Sequence, residues 1–144
     1  TRPGIGIYGG VQVAAAEGHI RQVVTPEVEL LQIRDVGPGD TIGYNATFVV
    51  ERPMRIGVLN LGYADGYLRA FSGTGQALAN GQALPVLGRV SMDLTVIDLG
   101  NAPSLREGDH VTIDFDLARA TRQSGFSQYE LLTGLGRRYH RQWS

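Results

Sequence analysis

The sequence contains neither cysteine nor lysine. Its 144 residues include no cysteine, which excludes thiolate metal sites, cysteine nucleophiles and a disulfide scaffold. All 13 basic residues are arginine, so these residues supply no phosphate-loop lysine, lysine general base or lysine Schiff base. A chain of this size buries about two-thirds of the surface that its unfolded form exposes. We therefore expect one self-supporting core that needs no disulfide or metal.

Long apolar runs and an excess of charge of one sign are also missing. No stretch approaches the roughly 20 apolar residues of a membrane-spanning helix, and the formal net charge is −1. His19, His110 and His140 lie too far apart in the sequence for metal-ligand spacing. We therefore expect no metal, no membrane and no nucleic acid partner. The basic tail that contains Arg138 and Arg141 is expected to form local ion pairs.

Glycine is abundant, at 20 residues, and it separates short apolar runs about every ten residues. This spacing is typical of antiparallel strands joined by turns. The predicted strands lie within 28–36, 41–51, 54–60, 90–98 and 111–115. Asp40 and Asp109 end two similar Gly-Asp turns and are expected to bond to amides just downstream. One helix is predicted at the capping box of Ser127 and Glu130, so the fold class is mainly β, a Greek-key-like β-barrel domain with one short C-terminal helix.

The densest group of polar and flexible residues, 61–69, follows a predicted strand directly. Tyr63 is flanked there by glycines, which allow a ligand or another backbone to come close. Its side chain is either structural, with a buried ring and a paired hydroxyl, or an acid-base catalyst activated by nearby positive charge. A second patch, 87–95, places Arg89 and Asp93 on one face of a predicted strand. An exposed pair of this kind contributes only about 0 to 1 kcal/mol to stability, so stability alone explains it poorly.

Five short motifs occur together along the chain. They are RPGIGIYG (2–9), GYNATF (43–48), GYADGY (62–67), GRVSMD (88–93) and QYE (128–130). In this order and spacing they resemble the C-terminal domain of the alanine racemase family, and the resemblance covers essentially the whole chain. Any one motif is weak, but five in register are specific.

The resemblance implies a division of labour between two domains. Alanine racemases combine an N-terminal barrel of alternating strands and helices, which carries pyridoxal 5′-phosphate on a lysine, with a C-terminal β domain. They work as homodimers in which each active site joins the barrel of one subunit to the β domain of the other. Residues 1–10 are thus expected to be the tail of the N-terminal barrel and residues 11–144 the β domain. The start at Thr1 fits a beginning within a longer polypeptide, and the lysine-free composition agrees because the cofactor lysine lies in the barrel.

The resemblance also implies roles for individual residues. Tyr63 matches the catalytic tyrosine, which exchanges a proton at the substrate α-carbon on the face opposite the cofactor lysine. Met92 matches the residue whose backbone amide contacts the substrate carboxylate, and Arg89 and Asp93 fall at the substrate entrance. Four further positions match cofactor ligands: Arg2 on the pyridine nitrogen, and the Gly4 and Ile5 amides with the Tyr129 hydroxyl on the phosphate.

Two positions depart from the family pattern. Asn45 stands where glycine is common, and the tail at 138–141 lacks the smaller residue and the proline expected between its arginines. The resemblance implies a bacterial, cytoplasmic enzyme that interconverts L-alanine and D-alanine for peptidoglycan, and an isolated chain that is inactive. Two alternatives stay open: an amino-acid racemase of the same family that acts on serine or lysine, and a non-catalytic β-barrel binding module.

Overall fold

Six antiparallel strands close into a barrel in the computed structural model, which describes residues 4–11, 13–16 and 18–143. The strands of the chain are β1 (Glu27–Val36), β2 (Thr41–Ile42), β3 (Phe48–Val49), β4 (Met54–Leu59), β5 (Gln76–Ala79), β6 (Gln82–Leu87), β7 (Thr95–Asp98) and β8 (His110–Ile113). Around the barrel the order is β1, β4, β7, β6, β5 and β8, while β2 and β3 form a separate two-stranded sheet. The prediction of a mainly β barrel is confirmed.

Aliphatic side chains fill the interior of the barrel, because alternate residues of each strand point inwards. In β1, Val28 and Leu30 are buried between exposed neighbours. Leu59 of β4, Leu84 of β6 and Ile97 of β7 are fully buried in the same cluster. The barrel is therefore a packed core on which loops are displayed.

The hairpin of β5 and β6 is not among the predicted strands. Asn80 and Gly81 both have positive φ, at 50° and 76°, as a two-residue type I′ turn requires. Ala79 pairs with Gln82 across this turn. The Asn-Gly dipeptide is the sequence signal for it, whereas the strands themselves contain only one β-branched residue, Val86, and strand propensity therefore does not reveal them.

The two Gly-Asp turns have the same geometry, but one expectation about them is wrong. The Asp40 carboxylate accepts a hydrogen bond from the Gly37 amide at 2.8 Å, and the Asp109 carboxylate accepts one from the Arg106 amide at 2.7 Å. Each aspartate therefore bonds to the amide three residues upstream and not downstream. The carboxylate closes the turn by reaching back to its first residue.

Two helices follow the last strand, α1 (Leu117–Ser124) and α2 (Gln128–Gly134). The predicted capping box of α2 is confirmed, because Ser127 and Glu130 bond to each other's backbone amides. Helix α1 is additional to the single predicted helix. It begins at Asp116, whose carboxylate accepts from the Arg119 amide at 2.7 Å. Only Leu117 and Ala120 of α1 are buried, so the helix has too narrow an apolar face to stand out in the sequence.

Two predicted strands are shorter in the structure. The segment 41–51 contains β2 and β3 with a 3-10 turn, Tyr44–Ala46, between them, and Asn45 and Ala46 there have positive φ. The strand expected over 90–98 begins only at β7, because residues 88–94 form a loop. None of the helices in the described part of the chain is long and apolar enough to cross a membrane.

Candidate active site

Two loops at the end of β4 and the start of β7 are joined through their backbones. The first carries Tyr63 in a 3-10 turn, Tyr63–Asp65, and the second is the loop 88–94. The Tyr63 amide donates to the Ser91 carbonyl at 3.0 Å, and the Ala64 amide donates to the Met92 carbonyl at 3.0 Å. The structure therefore brings the predicted catalytic residue and the predicted substrate-binding residue into one unit.

Gly62 makes this close approach possible. A Cβ atom at this position would lie 2.2 Å from the Met92 carbonyl oxygen and 2.5 Å from the Asp93 nitrogen. Both are backbone atoms, so neither could swing away as a flexible side chain could. The glycine before Tyr63 is needed for contact between two main chains.

The Tyr63 ring is half-buried and is not part of the barrel core. The guanidinium of Arg69 lies over its face, 4.7 Å from the ring centroid. Such a cation–π contact restrains the ring and brings a positive charge close to it. The sequence leaves two interpretations of the Tyr63 side chain open. This environment is that of an accessible phenol beside a cation, and not that of a core residue with a paired hydroxyl.

Tyr67, four residues later, is instead the structural tyrosine of this segment. It is 3% exposed and stacks on Phe71 with ring centroids 4.8 Å apart. Its hydroxyl is buried and finds no hydrogen-bond partner among the described residues. Burial, helped by the charge of Asp114, raises the pKa of Tyr67 well above its usual range. The two tyrosines of the GYADGY motif therefore have opposite environments.

The loop 88–94 presents Met92 to the outside. The Ser91 hydroxyl donates to the Leu94 carbonyl at 2.9 Å and accepts from the Leu94 amide at 3.0 Å, which closes a tight turn around Met92. The Met92 side chain is 53% exposed. Its carbonyl is taken by Ala64, while its amide N–H donates to no acceptor among the described residues. That amide is available to a carboxylate, as the predicted role requires.

The predicted pairing of Arg89 with Asp93 is wrong. Both residues lie in the loop 88–94 and not on one face of a strand, so alternation of side chains does not align them. Asp93 is instead paired with Arg138 of the C-terminal tail, at 2.7 Å. Arg89 is exposed, and its backbone packs against Gly43. Arg138 of the tail does form ion pairs, but its partners, Asp65 and Asp93, lie far from it in the sequence, so the expected local pairing is wrong for this arginine.

Arg138 also reaches the turn that carries Tyr63. Its Nε atom forms an ion pair at 3.1 Å with the carboxylate of Asp65, which is buried and accepts a hydrogen bond from the Gly62 amide at 2.9 Å. The hydrogen bond to Asp93, and then the charge of Asp65, raise the pKa of Arg138 above its ordinary value. One arginine therefore links two carboxylates on the two loops of the site.

Gly4, Ile5 and Tyr129 form a second cluster. The Ile5 amide donates to the Tyr129 hydroxyl at 3.1 Å, and a Cβ atom on Gly4 would lie 2.7 Å from the same oxygen. The Gln128 side chain holds this segment through two hydrogen bonds to the backbone of Val11, of 2.7 and 2.9 Å. The predicted phosphate ligands thus lie together, except Arg2, which falls outside the described residues.

This cluster fits a phosphate group. The Tyr129 hydroxyl accepts from Ile5 and retains its own proton, which it can donate to an anionic oxygen. Tyr129 is 44% exposed, so its hydroxyl lies near the surface. Among the described residues, no group of three or more histidine and acidic side chains is arranged to hold a metal ion.

Helix α2 connects the two clusters. Tyr129 lies in its first turn, and Gly134, at its end, packs on the turn of Tyr63, since a Cβ atom on Gly66 would lie 2.4 Å from the Gly134 carbonyl oxygen. Five residues of helix span about 8 Å. A rigid element therefore fixes the second cluster relative to Tyr63.

For three residues of this site, the sequence predicts no role in binding or catalysis: Gly62, Arg69 and Arg138. The GYADGY motif points to Gly62, but only the structure shows which backbone it meets. Arg138 pairs with a carboxylate 45 residues away, a distance at which sequence spacing gives no guide.

Comparison with known proteins agrees with the motifs. A family model described as the alanine racemase C-terminal domain matches residues 23–143. The biosynthetic alanine racemase of Agrobacterium fabrum is 39% identical over 99% of this chain and 41% of its own length, and an alanine racemase of Methylobacterium sp. is 42% identical over 98% and 40%. The chain therefore spans about two-fifths of these relatives.

Solved structures show the same likeness. The biosynthetic alanine racemase from Pseudomonas aeruginosa superimposes with a TM-score of 0.84 at 36% identity, covering 98% of this chain and 41% of that one. The alanine racemase from Bartonella henselae, solved with covalently bound pyridoxal phosphate, gives 0.84 at 32% identity, covering 94% and 39%. The five motifs, the barrel and these relatives agree, and the chain belongs to the alanine racemase family, in which it corresponds to the C-terminal domain.

Proposed function

We propose that this chain is the C-terminal part of a pyridoxal-phosphate-dependent alanine racemase that interconverts L-alanine and D-alanine. The observation that carries the proposal is the joining of the Tyr63 turn to the Met92 loop, which brings together a half-buried phenol and a backbone amide that has no acceptor among the described residues. Supplying D-alanine for peptidoglycan in a bacterial cytoplasm is the corresponding cellular role.

Tyr63 is the proton donor and acceptor for one face of the substrate. As the phenolate, Tyr63 takes up the α-proton of one enantiomer and becomes the phenol; as the phenol, it gives a proton to the same face when the other enantiomer reacts. When bound, pyridoxal phosphate takes up the negative charge that is left when the α-hydrogen departs. The guanidinium of Arg69 over the ring restrains the orientation of the phenol.

Two further groups of the chain hold the reactants. The Met92 amide donates to the substrate carboxylate, which fixes the α-carbon relative to Tyr63. The Gly4 amide and the Tyr129 hydroxyl would hold the cofactor phosphate without a lysine, the Ile5 amide would join them on leaving the Tyr129 hydroxyl, and Arg2 would contact the pyridine nitrogen.

The partners of the domain are an N-terminal barrel, which supplies the cofactor lysine and the second base, and a second subunit of a homodimer. The absence of lysine from this sequence supports the proposal that the second base lies elsewhere. The exposure of Met92 and Tyr129 supports the proposal that the site is completed by a neighbouring surface.

The test is the pair of variants Tyr63→Phe and Tyr67→Phe in the full-length enzyme. We expect Tyr63→Phe to lower the rate of alanine racemisation by at least about 100-fold, because one acid-base group is lost. Tyr67→Phe removes a buried hydroxyl that has no hydrogen-bond partner in the part of the chain that the structure describes, and it is expected to keep the wild-type rate. An undiminished rate for Tyr63→Phe in both directions would refute the role of Tyr63.

Substrate class is tested in the same assay. A racemase specific for alanine turns over serine, lysine and arginine far more slowly. Comparable turnover of those amino acids would favour the broader racemase. A non-catalytic binding module has less support, since packed side chains fill the barrel interior in the described part of the chain.

A further inference from the structure

We propose that Arg138 is a positioning residue that holds the Met92 loop in register with Tyr63. The inference rests on the proposed function, because it assigns a kinetic consequence to an ion-pair bridge. Among the described residues, no hydrogen bond or ion pair joins Arg138 to Tyr63 or Met92. It acts through the carboxylates of Asp65, two residues after Tyr63, and Asp93, directly after Met92.

The inner side of the bridge is buried. The Asp65 side chain is 9% exposed, and its carboxylate forms an ion pair with Arg138 at 3.1 Å and accepts a hydrogen bond from the Gly62 amide at 2.9 Å. A buried carboxylate without its cation is costly. This contact therefore ties the tail firmly to the turn that carries Tyr63.

The outer side of the bridge is exposed. The Asp93 side chain is 50% exposed and lies 2.7 Å from the Arg138 guanidinium. Exposed pairs of this kind contribute little to the stability of a fold. The Arg138–Asp93 pair therefore acts on the position of Met92. Asp93 directly follows Met92 in the chain, so a restraint on Asp93 also restrains Met92.

Arginine suits this bridge because its planar fork offers several donors in fixed directions. Its Nε faces Asp65 while a terminal nitrogen faces Asp93. The next residue, Tyr139, packs against the barrel core and anchors the tail. The backbone of Arg138 is therefore held in place by its neighbour, and its guanidinium can hold both loops.

Apart from the bridge, main-chain contacts hold the Tyr63 turn against the Met92 loop. The backbone bonds run from Tyr63 to Ser91 and from Ala64 to Met92, and neither of them uses the Met92 amide or the Asp93 side chain. A displacement of about 1 Å between reacting groups can cost up to about 100-fold in rate. We therefore expect the bridge to control how well Tyr63 faces the α-carbon of a substrate held by Met92.

The experiment compares four variants in the full-length enzyme: Arg138→Met, Arg138→Lys, Asp93→Ala and, as the matched control, Arg137→Met. Arg137 is the exposed neighbour and makes no ion pair among the described residues. We expect Arg138→Met to lower kcat/KM for alanine by about 10- to 100-fold, with a higher KM as well as a lower kcat. Arg138→Lys should recover part of the loss, and Arg137→Met should behave as wild type.

Asp93→Ala separates position from folding. This variant leaves the buried contact with Asp65 intact, so its thermal midpoint should equal that of the wild type. We nevertheless expect it to reproduce most of the kinetic loss of Arg138→Met. The double variant should be little worse than Arg138→Met alone, because both changes break the same bridge.

An isotope measurement gives a readout that a purely structural role would not change. α-Deuterated L- and D-alanine are compared, since Tyr63 removes the hydrogen from only one of them. In Arg138→Met and Asp93→Ala, the primary isotope effect should rise for that enantiomer more than for the other. Loss of folded enzyme alone would lower the rate with an unchanged isotope effect and KM.

The outcomes separate this inference from the proposed function. If Tyr63→Phe abolishes racemisation while Asp93→Ala keeps the wild-type KM, kcat and isotope effects, the bridge does not position the site. The same conclusion follows if Arg138→Met changes only the thermal midpoint. If the wild type does not racemise alanine, or Tyr63→Phe remains fully active, the proposed function itself is wrong.

Discussion

Gly62 shows how much of this site depends on the main chain. The Tyr63 turn and the Met92 loop come together there at a separation that leaves no room for a Cβ atom. The groups proposed to bind substrate and phosphate are largely backbone amides as well, at Met92, Gly4 and Ile5. Changes in side chains at those positions should therefore matter less than changes that move the backbone.

At Gly62, we expect Gly62→Ala to abolish most activity. The added methyl would lie 2.2 Å from the Met92 carbonyl oxygen, and the loop would have to move away from Tyr63. Gly37→Ala is the control, because a Cβ atom there would have nothing within 4 Å. Racemisation rates and thermal midpoints of both variants check this, and equal behaviour of the two would contradict it.

Residues of the site that belong to local motifs can be predicted from the sequence, whereas contacts that form only through tertiary folding cannot. Tyr63, Met92 and Tyr129 belong to short local motifs, and the structure places Tyr63 and Met92 together. Strand alternation predicts Arg89 as the partner of Asp93, and this prediction is wrong because residues 88–94 form a loop. The true partner of Asp93, Arg138, becomes a neighbour only through tertiary folding.

Among the secondary-structure elements, α2 combines a structural and a functional part. Ser127 and Glu130 cap its N-terminus, and Tyr129 in the same turn meets Ile5. We expect Ser127→Ala to lower the free energy of unfolding by about 1 kcal/mol, the usual value of a lost N-cap. Urea unfolding checks the value. Ser104→Ala, at an exposed loop residue, serves as the control and should change little.

The same capping box makes the stability of α2 depend on pH. The hydrogen bond from the Ser127 amide, and then that from its hydroxyl, lower the pKa of Glu130. Since the folded pKa is the lower one, the stabilisation is complete above the ordinary glutamate pKa of about 4.3 and is lost as the pH falls through the folded value. Glu130→Gln keeps an acceptor but cannot titrate. The stability difference between wild type and Glu130→Gln should therefore shrink on acidification, and a constant difference between pH 7 and pH 3 would contradict this.

Elements with strong local signals could be predicted, and the others could not. β1, β4 and β8 carry regular runs of apolar and β-branched residues, and α2 carries a capping box. β5 and β6 are instead specified by the Asn80-Gly81 turn and by their neighbours in the barrel. Helix α1 buries only two residues, so its place is set by the tertiary structure more than by its own pattern.

At the scale of the whole molecule, the packed core of the barrel supports the loops that carry Tyr63 and Met92. Leu30 is fully buried, whereas its neighbour Leu31 is 42% exposed. We expect Leu30→Ala to cost about 2 to 5 kcal/mol of unfolding free energy and Leu31→Ala less than about 1 kcal/mol. Urea denaturation of the two variants gives the comparison. Similar losses in both would mean that β1 faces the core differently.

The closed order of the barrel strands also limits how another subunit can be recognised. Each of the six strands already has a hydrogen-bonded neighbour on both sides, so none can accept an extra strand from outside. Another chain would then meet the barrel through side chains and loop backbones, and such a contact can separate without breaking a sheet. Among the described residues, free strand edges remain in the β2–β3 sheet, whose two-residue strands offer little length for strand-to-strand polymerisation.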